Sequence, residues 1–209
     1  MQIIKEKKSV PFHIVLSLLF GVVWGAFARA ANQVPELRES FDGSISATYG
    51  YWVILAMVLV MLSPRAFQAG IDCLLFFLTM NTTFYLLEMG CTGVFQTDYY
   101  IRWILLSLPT FIGGFAVWFY KKPGWWYALL GSLPAAMLMG EIVTDVYWLF
   151  KNPEINYVSA SLNILVYLLF IVFYFLQTPK ERNNRRKLFL FIAAFTALWI
   201  FYTVFTYGI

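Results

Sequence analysis

Residues 140–150 read GEIVTDVYWLF and close a run, 124–149, that is otherwise apolar and aromatic. Two carboxylates, Glu141 and Asp145, stand one helical turn apart in it. About 20 mostly apolar residues are what a helix needs to cross a bilayer. A charged side chain at mid-bilayer costs at least roughly 2.5–3.5 kcal/mol. The fold therefore turns on whether this stretch lies in a membrane with its acids shielded, or in water.

Composition decides for the membrane. Of 209 residues, 61% are hydrophobic, 20% aromatic and only 12% charged, more apolar surface than a soluble domain of this length can hide. Seven candidate spans follow from the hydropathy pattern, at 11–31, 44–62, 67–91, 99–120, 124–149, 157–177 and 187–207. The second is the weakest, because YWVILAMVLVML is short and must borrow SISATYG to cross. The start of the chain has a basic front and an apolar core like a signal peptide, but its apolar part is long and further spans follow, so it reads as a retained first span. No soluble domain or flexible linker interrupts the pattern. The expectation is an all-α polytopic bundle of about seven transmembrane helices, residues 1–209 forming a single integral membrane domain.

The cations fall between apolar runs, which points to membrane orientation rather than nucleic-acid binding. Lys5, Lys7 and Lys8, then Arg65, then Lys121 and Lys122, then the segment TPKERNNRRK all fall on one side under the seven-span count. The opposite loops are cation-poor. The N-terminus is thus expected inside and the C-terminus outside. The basic C-terminal segment would also attract anionic headgroups.

Depth can now be assigned. From Trp125, Glu141 is roughly 24 Å along the axis and Asp145 roughly 30 Å. Leu138, Glu141, Asp145 and Trp148 share one helical face. Other spans place polar groups at the same outer level: Arg29 and Asn32, Glu88, Arg102, and Asn163, with Asn81, Thr82 and Thr83 deeper. Three acids and two arginines nearly cancel. Three readings stay open. The cluster is internal glue between helices; or it lines an outward-facing cavity for a small polar or cationic solute, with Trp24, Tyr51, Trp52, Trp103, Tyr147, Trp148 and Tyr157 offering aromatic faces; or Glu88, Glu141 and Asp145 supply oxygen ligands to a hard cation. The binding residues of the second reading are Arg29, Asn32, Glu88, Arg102, Glu141, Asp145, Trp148 and Asn163.

Other features are quieter. LSLPTFIGG in the fourth span echoes GSLPAAMLMG in the fifth, each with a proline, Pro109 and Pro134, that removes a backbone donor and bends a helix. Near the opposite membrane face, His13 and Asp72 fall at one level, where they either pair in a pH-sensitive contact or leave His13 at the interface. Cys73 and Cys91 share a helix roughly 27 Å apart and cannot form a disulfide with each other; small buried side chains are expected. No HExxH, GxSxG or CxxC occurs, so enzymatic chemistry finds little support, and no cofactor is indicated.

FGVVWGAFARAANQVPE, SISATYGYWVILA, SPRAFQAG and NTTFYLLE, within roughly the first 90 residues, resemble an uncharacterised family of small bacterial multi-pass membrane proteins, a domain of unknown function. That resemblance implies a bacterial cytoplasmic (inner) membrane and no defined activity. The chain is also similar in size to the substrate-binding subunits of vitamin-type energy-coupling transporters, whose first helix has a small-residue face; Gly21, Gly25, Ala26 and Ala30 offer one here. Those subunits have six spans rather than seven. The expected partners are the lipid bilayer, a small polar or cationic solute, and a membrane partner subunit; a non-catalytic subunit or scaffold is the alternative function. The topology is checked by C-terminal fusions: seven crossings make alkaline phosphatase active and leave green fluorescent protein dark, and six reverse both outcomes.

Overall fold

The computed structural model describes residues 10–33, 49–151, 157–178 and 184–207. The N-terminal lysines, the acidic loop with residues 44–48, most of the KNPEIN loop and residues 179–183 of the basic segment lie outside them. Among the described residues, eight α-helices follow in order: α1 (Val10–Gln33), α2 (Tyr49–Leu62), α3 (Ala66–Thr92), α4 (Thr97–Ser107), α5 (Pro109–Val117), a 3-10 turn (Trp118–Lys121), α6 (Trp125–Lys151), α7 (Tyr157–Gln177) and α8 (Asn184–Tyr207). No strand occurs among the described residues. Among the described residues, six segments are long and apolar enough to cross a membrane: α1, α3, Thr97–Lys121, α6, Ala160–Gln177 and Asn184–Thr206. The chain is a multi-pass membrane protein. With 14 residues, α2 extends about 21 Å, shorter than a hydrocarbon core of about 30 Å.

Burial is inverted relative to a soluble protein. His13, Ser17, Arg29, Asp72 and Asn81 are buried, whereas Phe150 is 88% exposed, Phe205 80% and Trp126 77%. Large apolar side chains cover the outside because their solvent is lipid, and polar ones turn inward to find partners.

By contacts the chain divides into two compact units, Met1–Arg29 with Val58–Phe115, and Ala30–Met57 with Ala116–Ile209. In the first, α1 packs along α3. Gly21 lies against Phe76, Thr79 and Met80, and Gly25 against Met80 and Thr83. His13 meets Asp72 at one end and Arg29 meets Glu88 at the other. Residue numbers rise together, so the two helices are parallel. Both pairs of contacts are 16 residues apart on their own helix (29 − 13 and 88 − 72), or about 24 Å of axis. The chain must return over that distance between them, and α2 ends at the return point, where Ser63 bonds Asp72. The small-residue face runs through Gly21, Gly25 and buried Ala28; Ala30, expected on it, is exposed, because a step of four then three residues follows the helical stripe and a step of five leaves it.

α4 and α5 return antiparallel to α3. Asn81 Nδ2 donates to Ser107 Oγ at 3.1 Å, and Gly114 faces Ala69 and Cys73. Pro109 interrupts this span as expected. Lacking an N–H, it cannot bond the Leu105 carbonyl; that oxygen accepts from Leu108 N–H at 3.2 Å instead. Pro134, by contrast, sits inside an uninterrupted α6. Gly93, at φ 72°, ends α3 in the left-handed conformation, its N–H donating to Met89 O at 2.8 Å. Both cysteines lie on α3 and neither is in a disulfide. Cys73 is buried as expected, whereas Cys91, on the last turn of α3, is exposed.

In the second unit, α6 and α8 run parallel and α7 antiparallel to α6. Trp125 meets Phe191 at 5.9 Å between ring centroids, Gly140 receives Trp199, and Trp199 Nε1 donates to Thr144 Oγ1 at 3.3 Å. Tyr174 on α7 donates to Gly131 O at 2.7 Å. Leu138, Ile142 and Tyr167 form a packed core.

A Cβ added at Gly25 would lie 2.4 Å from Met80 O, a backbone atom, whereas one at Gly90 meets nothing within 4 Å. Gly25→Ala is therefore expected to cost about 1–3 kcal/mol by overpacking and Gly90→Ala essentially nothing, measured by unfolding in detergent.

Candidate functional site

In the first unit, two of the expected binding residues are bound to each other. Arg29 Nε forms an ion pair with Glu88 Oε2, with side chains 10% and 18% exposed. A guanidinium and a carboxylate in contact cancel their net charge and offset part of what each loses on leaving water. Arg102 is exposed on α4. It lies over the Tyr99 ring at 5.8 Å and forms no ion pair with a described residue. Asn32, half-buried on the last turn of α1, belongs to the second unit. Deeper in the first unit, Asn81 also reaches Trp103 O at 3.5 Å, and Thr82 Oγ1 and Tyr100 Oη are 3.3 Å apart.

The other expected residues are in the second unit. The stripe read from sequence on α6 grades outward: Leu138 is fully buried, Glu141 and Asp145 are half-buried, and Trp148 is exposed. Asn163 on α7 is buried and accepts a 2.7 Å hydrogen bond from Tyr51 Oη. Tyr51 packs edge-on against Tyr167 at 5.6 Å. Tyr167 is wholly buried, wedged against Gly50 and in the core with Leu138 and Ile142. Its hydroxyl has no hydrogen-bond partner among the described residues, and Tyr51, Glu141 and Asp145 lie within its electrostatic reach. Glu141 forms no ion pair with a described residue. A buried hydroxyl left unpartnered costs about 1–3 kcal/mol, and this one is packed against Gly50. The side chain of Tyr157 lies outside the described residues.

Tyr167 was missed from sequence. It falls four residues after Asn163, hence on the same helical face, and that spacing was the available signal. No group of three His, Cys, Asp or Glu side chains among the described residues is arranged to hold a metal ion. Two grooves between α6 and α8 are apolar, one lined by Val146, Phe150, Ile200 and Val204 with Tyr147 and Lys151 at its edge, the other by Leu133, Met137, Leu198 and Trp199. Neither includes Glu141 or Asp145.

An all-helical, multi-pass chain with polar groups held inside defines the class. Residues 4–207 match the Family of unknown function (DUF6518), and the chain belongs to that family. The match spans nearly the whole chain, whereas the resemblance read from sequence covered only the first 90 residues or so; the later spans share their apolar residues with any membrane helix and gave that reading little to hold. No curated protein and no solved structure matches.

Breaking the buried pair by Arg29→Ala or Glu88→Gln is expected to lower unfolding free energy by about 3 kcal/mol. The double substitution Arg29→Met with Glu88→Met should recover most of that loss, because no uncompensated charge remains. Thermal unfolding of the three variants checks this.

Proposed function

We propose that this protein binds, or moves across the membrane, a small cationic solute at the acidic and aromatic site built by Glu141, Asp145, Tyr51, Asn163 and Tyr167. The observation that carries this reading is the conjunction of Glu141, a half-buried carboxylate without an ion-pair partner, and Tyr167, a buried hydroxyl without a hydrogen-bond partner, both among the described residues. A cation offers the missing charge to the first, and a polar group on the solute offers the missing partner to the second. Aromatic faces beside them suit a cationic ligand.

The proposed topology is seven crossings, with the N-terminus inside and the C-terminus outside a bacterial cytoplasmic membrane. Parallel α1 and α3 support it, since α2 then serves as the return crossing despite its length. Parallel α6 and α8, with α7 between them, extend the same alternation. Lys121, Lys122, Arg185, Arg186 and Lys187 gather at one end of the second unit, where Asn184 Nδ2 donates to Lys122 O at 3.1 Å and Lys187 sits 4.9 Å over the Trp125 ring. Basic residues with tryptophans at one helix end fit a cytoplasmic interface. The Arg29–Glu88 pair favours a second role for the first unit, that of a scaffold held together by its internal charges.

The test compares thermal stability of the wild type, Glu141→Gln and Tyr167→Phe with tetramethylammonium, spermidine, sodium and magnesium. At least one cation should stabilise the wild type by several degrees and lose its effect in Glu141→Gln. Without ligand, Tyr167→Phe should gain about 1 kcal/mol, because a hydroxyl without a partner has been removed. A strongly destabilised Glu141→Gln together with a wild type indifferent to every cation overturns the reading.

A further inference from the structure

We propose that His13 and Asp72, with Ser63 and Gln68, form a proton-binding site inside the first unit. His13 is 3% exposed, Ser63 1%, Gln68 6% and Asp72 0%. Gln68 Nε2 donates to Asp72 Oδ1 at 2.7 Å. His13 Nδ1 lies 3.6 Å from Asp72 Oδ2, too long for a hydrogen bond and within ion-pair range.

The count of protons around Ser63 carries the inference. Its Oγ lies 2.7 Å from Leu59 O and 2.5 Å from Asp72 Oδ2. A hydroxyl has one proton to give, and both neighbours are oxygens. The Leu59 carbonyl has no proton of its own, so both contacts are filled only when Asp72 supplies the second proton. In that state Asp72 Oδ2–H donates to Ser63 Oγ, and Ser63 donates to Leu59 O. With the proton on His13 instead, Ser63 turns its hydrogen to the Asp72 carboxylate, which faces an imidazolium. Either way the pair holds one proton and is neutral overall. Releasing that proton to water leaves a single carboxylate wholly inside the protein. A group with no exposed surface in a membrane chain is costly as a lone charge, so the site holds its proton at low pH and releases it against that cost only as the pH rises.

Both groups stand near the starts of their helices. His13 is the fourth residue of α1 and Asp72 the seventh of α3, so they lie about 5 Å and 9 Å from the starts of their helices. Among the described residues, the titratable groups around the site are few. On α1 it is His13 itself, with Ser17 Oγ donating to the His13 carbonyl at 2.9 Å. On α3, Cys73 is next to Asp72 and electrostatically coupled to it. α5, which packs on Cys73 through Gly114, carries no titratable residue, and Arg65, before α3, is exposed. The inference does not depend on the solute reading, since none of these residues belongs to that site.

His13 is the single histidine of the chain, so full-length protein labelled with 15N-histidine in micelles gives one unambiguous imidazole signal. That signal is followed from about pH 5 to 9, the range in which histidine charge changes, beside the infrared carboxylic-acid band. As pH rises, either the imidazolium signal or an acid band must disappear. Asp72→Asn must abolish that acid band or lower the imidazolium fraction at fixed pH by roughly tenfold or more, the effect of removing an opposite charge at this range. Should Asp72→Asn not fold, Ser63→Ala, which removes the shared hydroxyl, must shift whichever signal titrates in the wild type. A histidine signal and an acid band both unchanged across the range overturn the proposal, as does a titration identical in the variants.

Discussion

Hydrocarbon offers no hydrogen-bond partner, so every polar group brought into this molecule must find one within it. The contact of α1 with α3 answers that requirement. Glycines at 21 and 25 let the backbones approach, and charged or titratable pairs close both ends. The parallel arrangement is possible because the intervening chain returns, and Ser63 at the end of α2 is drawn into the polar site as the return is completed. One helix contact thus places the polar groups of the first unit, holding the Arg29–Glu88 pair in a closed, neutral state and Asp72 beside a histidine.

The second unit is organised differently. Its helices meet through aromatic side chains seated on glycines: Trp199 on Gly140, Tyr167 on Gly50, and Tyr174 beside Gly131. Tyr174 and Trp199 also donate hydrogen bonds across the helix contacts they fill. Tyr167 fills space in the same manner, while its hydroxyl has no hydrogen-bond partner among the described residues. The distinction matters because an aromatic residue used only for volume would be as well served by phenylalanine.

Much of the architecture was legible in the chain. Hydropathy located the long helices, and Pro109 marked the break in the fourth span. The level of His13 and Asp72, inferred from helix rise alone, corresponds to a real contact. Helix periodicity also gave the right face for Leu138, Glu141 and Asp145, because that face depends on one helix only. What sequence left open was pairing between helices. It offered Glu88, Glu141 and Asp145 as alternatives for two arginines, and the choice of Glu88 by Arg29 depends on the parallel register of α1 and α3. Ser63 and Gln68 escaped notice for a related reason: the first reads as part of a turn, and the second as an ordinary polar residue four positions before an acid.

The Asn184 side chain has a consequence for how the molecule is made. It accepts from Gly124 N–H at 3.1 Å and donates to the Lys122 carbonyl, fastening a turn that precedes α6 from a residue that opens α8. Gly124, at φ 146°, lies in a backbone region that L side chains rarely adopt. Sixty residues separate Gly124 from Asn184, roughly 3 to 12 seconds of ribosomal synthesis. During that interval the bend exists without its fastener. The turn before α6 is thus held by a contact that forms only once α8 has been made, well after the segment it fastens.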